Sequence, residues 1–359
     1  MNTRTENLRL YTDVISLDKR SLGLFRILIA VLVLVDLYER SLDLTRFYTD
    51  LGVLPIITWE QIKPLYAYSI YQFLETPLAV ALAFGFTALC ALMVLIGFQT
   101  KWFVALLWYM MVSLVMRNPH TVNSADALLC NLLLISLFLP IDERFALHSR
   151  EIADPRTRGN KYYSIFSVLF IVQLLILYFM AAYIKTGYRE GVYYALNLCV
   201  FAKSTAQIIL PYPVLGKAFT YGSLLLEYFG WVFLFFPYRQ QLARTLVCFA
   251  FMSFHFGLFI FMQLGLFPWI AIIAWVAMLP ASFWDFLGVQ VSSAEESFVP
   301  GAWSRLFLWH KPGWLPKLGA GVGVALTVGV VGLSFGRVGI IPTPHWLQHA
   351  LSAIHFEQA

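Results

Sequence analysis

Residues 162–187 read YYSIFSVLFIVQLLILYFMAAYIKTG, and this stretch decides the class of fold. It runs for about twenty residues without an acidic or basic side chain until Lys185, and a glycine follows two positions later. About twenty apolar residues in an α-helix span the hydrocarbon core of a bilayer. The stretch therefore predicts a membrane helix that ends at a lysine. That lysine is either an anchor at the membrane boundary or a reactive group.

The composition of the whole chain supports the same class. Of its 359 residues, 60% are apolar, 17% are aromatic and 13% are charged, against about 25% charged residues in a typical soluble domain. The sequence thus predicts an integral membrane protein in contact with the lipid bilayer. The net charge of +5 is small and lies mostly in loops, so it suggests membrane orientation and no nucleic-acid partner.

Further apolar segments predict an all-α fold, a polytopic bundle of about nine transmembrane helices. The segments lie near residues 22–39, 77–98, 102–117, 124–140, 162–185, 219–237, 244–263, 266–286 and 317–340. We divide the chain into a cytoplasmic N-terminal tail (1–21), a transmembrane bundle (22–286), a cytoplasmic loop (287–316) and a last helix with an outer segment (317–359).

The distribution of lysine and arginine predicts the orientation of this bundle. The N-terminal tail, the 141–161 loop and residues 239–244 carry more of these residues than the loops on the other side. Positively charged loops stay in the cytoplasm. The N-terminus is therefore predicted inside and, with nine spans, the C-terminus outside.

Four ionisable residues at membrane depth are predicted to converge. With this topology Lys185 and His120 lie at the outer ends of the fifth and third helices, Glu227 about two turns into the sixth helix from outside, and His255 near the middle of the seventh. A carboxylate inside a span costs about 2.5–3.5 kcal/mol, so Glu227 is expected to be paired or functional. For the others a structural alternative stays open: Lys185 as an anchor, His255 as a packing residue, His120 as a loop residue.

Two further charges lie in the first helix. Arg26 and Asp36 are ten residues apart, about 15 Å along a helix, so each needs a partner elsewhere. The four cysteines form no CxxC pair, and we predict no metal site and treat them as small buried residues.

Several segments, taken in order, resemble one family. LFRILIAVLVLVDLYERSLDLTRFYTDLGVLP (24–55), RNPHTVNSADALLCNLLLISLFLP (117–140), YFMAAYIKTGYREG (178–191), LLLEYFGWVFLFF (224–236) and FMSFHFGLFIFMQLGLFPW (251–269) are similar to segments of the HTTM family of membrane proteins, whose animal members are the vitamin K-dependent gamma-glutamyl carboxylases. The resemblance covers roughly residues 20 to 285. It departs from the family at Ile184, Ala182 and Tyr188, where the family has lysine, glycine and tryptophan.

The resemblance implies a function and roles for individual residues. Lys185 would be the base toward a reduced quinone, vitamin K hydroquinone or menaquinol, and His120 would stabilise the oxygen-bearing ring. His255, Glu227, Asn118 and Arg26 would bind this cofactor. O2 and CO2 would be co-substrates, without a metal, and a glutamate of a secreted peptide would be carboxylated while the quinol is converted to its epoxide.

The resemblance also implies a bacterial inner membrane, with the site toward the outer, periplasmic side. Two alternatives stay open. One is an SdpB-like factor that assists the maturation of an exported peptide. The other is a non-enzymatic bundle or transporter with a polar cavity.

Overall fold

Apolar stretches fold into helices throughout the computed structural model, which describes residues 14–63, 68–147, 157–158, 160–186, 191–236 and 238–289. The α-helices are α1 (Lys19–Ser41), α2 (Leu44–Tyr48), α3 (Ile56–Ile62), α4 (Pro77–Ile96), α5 (Thr100–Arg117), α6 (Ser124–Ser136), α7 (Ile165–Thr186), α8 (Gly191–Asn197), α9 (Pro213–Phe229), α10 (Gln240–Phe261), α11 (Phe267–Val276) and α12 (Ala281–Phe286). Short 3-10 helices cover Ile70–Phe73, Pro119–Thr121, Ser204–Ile208 and Gly230–Phe235.

Five helices within the described ranges are long and apolar enough to cross a membrane. They are Lys19–Ser41, Pro77–Ile96, Ile165–Thr186, Pro213–Phe235 and Gln240–Phe261. The protein is thus mainly helical, with the composition of a membrane protein. Helices also occupy the predicted third, fourth and eighth segments, but α6 and α11 are only 13 and 10 residues long, so the count of nine spans stays a prediction. The ninth segment and the 287–316 loop from residue 290 onward lie outside the described residues.

A three-stranded antiparallel sheet marks one end of the bundle, which we call the sheet end. Strands β1 (Leu17–Asp18), β2 (Thr157–Arg158) and β3 (Lys161–Tyr162) pair in the order β1-β3-β2. Since α1 follows β1 and α7 follows β3, both helices begin at this end. The side chain of Asp18 caps α1 by accepting a hydrogen bond from the backbone N–H of Arg20.

The remaining long helices alternate in direction, as their end contacts show. The backbone N–H of Leu147 donates to the Ile96 carbonyl, where α4 ends; Lys101 at the start of α5 contacts the Leu139 carbonyl beyond α6; and Arg244 in α10 donates to the Met278 carbonyl beyond α11. All of these contacts lie at the sheet end. The opposite end, where α7 finishes at Lys185 and Thr186, we call the lysine end.

Two features of the helices differ from the sequence prediction. The first helix begins at Lys19 and not at residue 22, because Asp18 provides its cap. The sixth begins at Pro213 and not at residue 219, because proline is favoured in the first turn of a helix. Glu227 therefore lies about four turns into this helix, not two.

The segment between α7 and α9 closes the lysine end. Within it, Lys203 donates from its backbone N–H to the Phe261 carbonyl and from its Nζ to the Phe259 carbonyl, and Thr205 donates to the Ile260 carbonyl. These carbonyls belong to the last turn of α10, which has no partners within its own helix. The segment thus fixes the end of the helix that carries His255. Cys199 in the same segment is exposed, contrary to the expectation of a buried cysteine.

Candidate functional site

Lys185 and Glu227 form an ion pair between α7 and α9. The Nζ of Lys185 donates to Oε1 of Glu227 at 2.5 Å. The two side chains are unequally buried, since 29% of the lysine side chain is exposed but only 3% of the glutamate side chain. Next to the pair, the hydroxyls of Thr186 and Tyr228 lie 2.7 Å apart. The acid thus lies inside the bundle while the amine reaches toward the surface at the lysine end.

A second polar group lies deeper in the bundle, between α7, α10 and α11. The hydroxyl of Tyr178 is 2.8 Å from Nε2 of His255, and the indole Nε1 of Trp275 donates to that hydroxyl at 2.6 Å. All three residues are at most 1% exposed. Phe251 stacks on Trp275 with ring centroids 4.4 Å apart and also contacts Tyr178. This chain of hydrogen bonds therefore joins α7, α10 and α11 inside an aromatic environment.

The ion pair and the hydrogen-bonded chain are neighbours. The ammonium of Lys185 lies 5.6 Å from the ring centroid of Phe254, the residue before His255. Three of the four residues predicted to converge, Lys185, Glu227 and His255, are thus brought into one region.

Among the residues that the structure describes, two buried atoms in this region find no hydrogen-bond partner: Oε2 of Glu227 and Nδ1 of His255. Their residues are 2% and 1% exposed. Leaving a buried polar group unpaired costs about 1–3 kcal/mol. Two such groups next to one ion pair, one of them on a carboxylate, are typical of a binding or catalytic site.

His120 and Asn118 lie at the junction of α5 and α6. Asn118 is buried, donates to the Phe47 carbonyl and accepts from the backbone N–H of His120. His120 is exposed, and within the described ranges its side chain makes no hydrogen bond or ion pair to Lys185 or Glu227. The structure therefore shows Asn118 as a turn-forming residue and does not join His120 to the ion pair.

Arg26 lies at the opposite end of the bundle from Lys185. Its guanidinium donates to the Val94 and Leu95 carbonyls at the end of α4 and to the Phe145 carbonyl. These contacts are at the sheet end, whereas Lys185 lies about 30 Å along α7 from its first residue. The structure therefore does not bring Arg26 together with Glu227 and His255, and its part in cofactor binding stays a prediction. Arg26 caps a helix C-terminus, where a cation is favoured.

The partner expected for Asp36 is Arg40, one turn later on α1, and Arg40 also contacts residues of two other elements. Nε of Arg40 donates to Asp36 at 2.8 Å, its Nη1 donates to the Tyr48 hydroxyl at 2.9 Å and its Nη2 contacts Asp126. Asp126 also accepts from the backbone N–H of Asn123 as part of a capping box. This network joins the end of α1 to the start of α6 at the lysine end.

Sequence reasoning missed Tyr178 and Trp275. Tyr178 precedes Lys185 by seven positions, a spacing that puts both residues on one face of a helix. This spacing could have indicated Tyr178 as a site residue. Trp275 is one of eleven tryptophans and lies in a uniformly apolar stretch, which offers no such signal.

An apolar groove of about 480 Å³ between α9, the 3-10 helix Gly230–Phe235 and α10 contains none of these site residues.

Comparison with known proteins adds no assignment: no protein-family model, curated protein or solved structure matches the chain.

Proposed function

We propose that the protein is a quinol-oxidising membrane enzyme of the vitamin K-dependent gamma-carboxylase type. The observation that carries this proposal is the Lys185–Glu227 pair, in which a partly exposed amine contacts a buried carboxylate that keeps one unpartnered oxygen. The resemblance of the segments around both residues to the HTTM family supports the same reading. The bilayer, a reduced quinone and a secreted glutamate-containing peptide are the partners that it implies.

The ion pair supplies a route to a basic amine. A lysine acts as a base only when it is neutral. Transfer of one proton from Nζ of Lys185 to Oε1 of Glu227 leaves a neutral amine and a neutral acid, without changing the total charge of the pair. Burial lowers the free-energy cost of this transfer because it disfavours charged groups. Glu227 thus holds the proton that Lys185 must lose.

The neutral amine can then take the proton of a substrate hydroxyl. The resulting ammonium stays beside the oxyanion that it created and stabilises it, as preorganised charge does in other enzymes. A reduced quinone deprotonated in this way supplies the chemistry of the family, reaction with O2 toward the epoxide coupled to capture of CO2 by a glutamate. The aromatic surroundings of Tyr178, Phe251 and Trp275 exclude water from the deep side of the site.

A structural role is the second candidate, and the same ion pair favours it. A lysine at a helix end that neutralises a buried acid explains both charges without catalysis. An SdpB-like maturation factor, or a bundle without enzymatic activity, would need no more than this. The two candidates differ in what they require of the lysine: catalysis needs an amine that can lose a proton, and structure needs only a cation.

Substitution by arginine separates the two. Purified protein is incubated with reduced vitamin K and O2, and the epoxide is measured for the wild type, Lys185→Arg and Lys185→Ala. Arginine keeps the positive charge but stays protonated, so both variants should lose turnover by about 100-fold or more, the usual effect of a general base. Lys203→Arg is the matched control, since Lys203 also lies at the lysine end and contacts a backbone carbonyl.

Epoxide formation by Lys185→Arg at the wild-type rate would refute the catalytic role and leave the structural one. Absence of epoxide from the wild type would remove the quinol-oxidising function itself. With either candidate, the bacterial inner membrane and an outward-facing site stay part of the proposal, as the loop charges and the resemblance suggest.

A further inference from the structure

We propose that Trp275 and Tyr178 fix His255 as a neutral imidazole whose proton is on Nδ1, so that Nδ1–H is a buried donor for an oxygen acceptor of the bound ligand. The assignment of this proton follows from hydrogen bonds alone. Its use by a ligand rests on the proposed function, and the acceptor expected there is the carbonyl or oxyanion of a quinone ring.

Trp275 sets the donor and acceptor roles in these hydrogen bonds. An indole nitrogen can only donate, so the bond of 2.6 Å to Tyr178 runs from Trp275 to the hydroxyl oxygen. The hydroxyl keeps one hydrogen. The other partner described for this hydroxyl is Nε2 of His255, at 2.8 Å. If the hydroxyl donates there, Nε2 is an acceptor without a proton, and the proton of the neutral ring is on Nδ1.

The alternatives leave more buried groups unpaired. If Nε2 carried the proton and donated to Tyr178, the hydroxyl hydrogen would have no acceptor and Nδ1 would also remain unpaired. If both nitrogens were protonated, a positive charge without a counter-ion would be buried next to Phe254, whose ring already lies beside the ammonium of Lys185. The Nδ1–H form leaves only the Nδ1–H group itself unpaired. Buried polar groups are nearly always hydrogen-bonded, so the form with the fewest unpaired groups dominates.

The remaining unpaired donor is suited to a ligand. Nδ1 of His255 is inaccessible to solvent, has no protein partner in the described part of the chain and lies in the region of the Lys185–Glu227 pair. A fixed donor in a dry site stabilises negative charge on an oxygen more than a mobile one does. Tyr178 and Trp275 are thus positioning residues that act through His255.

Nitrogen NMR of the histidine rings tests this assignment. The full chain is labelled with ¹⁵N at its seven histidines and held in detergent micelles, and two-bond correlations report which ring nitrogen carries hydrogen. His255→Gln identifies the signal by its loss. We expect the Nδ1–H form in at least about fivefold excess, the ratio that corresponds to one additional unpaired buried group. A signal with hydrogen on Nε2, or on both nitrogens, overturns the proposal from the wild type alone.

Two variants separate hydrogen bonding from packing. Tyr178→Phe removes the donor to Nε2, so the excess of the Nδ1–H form should disappear. Phe251→Leu removes a ring that contacts Tyr178 and Trp275 without a hydrogen bond, and the excess should persist. An equal loss in both variants would show that packing orients the ring and would overturn the role of Tyr178.

Menadione, the vitamin K ring without its tail, tests whether a quinone accepts a hydrogen bond from Nδ1–H of His255. Its addition should shift the Nδ1–H signal of His255 and leave that signal unchanged in Tyr178→Phe at the same concentration. An unshifted signal in the wild type, with menadiol turnover present, overturns the use of Nδ1–H by the ligand. The Nδ1–H form without any turnover would instead refute the proposed function and leave the assignment of the proton intact.

Discussion

Breaking the Lys185–Glu227 pair from each side should have unequal effects on stability. Lys185→Met leaves the carboxylate of Glu227, 3% exposed, without any hydrogen-bond partner. Glu227→Gln leaves an amide oxygen that still accepts from the lysine ammonium, which is itself 29% exposed and can contact water. The lysine variant should therefore be the less stable of the two.

The magnitude follows from distance and burial. Two unit charges 2.5 Å apart attract by about 6–7 kcal/mol at an effective dielectric constant near 20, before desolvation is subtracted. Loss of one partner from a buried pair costs about 3–5 kcal/mol, and we expect the lower end for Lys185→Met because the lysine is partly exposed. For Glu227→Gln the ion pair becomes a hydrogen bond between the ammonium and a neutral amide, and this change predicts a loss of about 1–1.5 kcal/mol.

The double variant Lys185→Met/Glu227→Gln measures the coupling. It buries no charge, so it should be more stable than the sum of the single effects predicts, by about 2 kcal/mol. Unfolding free energies are measured by titration with sodium dodecyl sulfate in mixed micelles, with Lys185→Arg as the control that keeps the pair. A coupling below about 0.5 kcal/mol, the range of an exposed pair, would refute the burial argument.

Further predictions concern the two ends of the bundle. Arg26→Leu removes the donors to three backbone carbonyls and should lower the unfolding free energy by about 3 kcal/mol or more, whereas an unchanged value would show that water replaces the arginine. Gly97→Ala should destabilise the bend after α4, because Gly97 has a φ of 75° and an added Cβ would lie 2.7 Å from Nη1 of Arg26. The sodium dodecyl sulfate titration measures this loss, and an unchanged unfolding free energy would show that the alanine is not strained. Arg40→Met should lower stability by about 3 kcal/mol. The double variant Arg40→Met/Asp126→Asn should lose less than the sum of the two single effects, since the second change removes a buried carboxylate that has lost its arginine. Additive losses would count against the network. Reporter fusions after residue 289 and at the N-terminus should report the same side, because Leu17 and Val289 both lie at the sheet end. Opposite reports would contradict the alternating helices.

The helices themselves were predictable from the sequence. Long runs of apolar residues such as 162–184 can satisfy their backbone groups in lipid only by forming helices, so composition alone fixes their type and approximate position. The same argument indicated that Glu227 would not face lipid unpaired, and the structure shows it bonded to Lys185. The ends of the helices were predicted less accurately, since the helices expected to begin at residues 22 and 219 begin at Lys19 and Pro213.

The partners of the buried charges were decided by the tertiary structure. Arg26 and His255 both lie in apolar helices, and no sequence pattern distinguishes a residue that caps a neighbouring helix from one that lines a site. Arg26 binds the Val94 and Leu95 carbonyls, which lie in the last turn of α4 because that helix ends beside it, at Gly97. His255 has its orientation because Trp275, twenty positions later, donates to the tyrosine that contacts it.

The physical reason is the range of the interactions. Hydrophobic periodicity and helix propensity act over a few residues and can be read along the chain. Hydrogen bonds and ion pairs need atoms within about 3 Å of each other, and the pairs at this site join residues 42 to 97 positions apart. The sequence therefore determined a bundle of apolar helices with a few ionisable residues, and only the packing of those helices determined which of them meet.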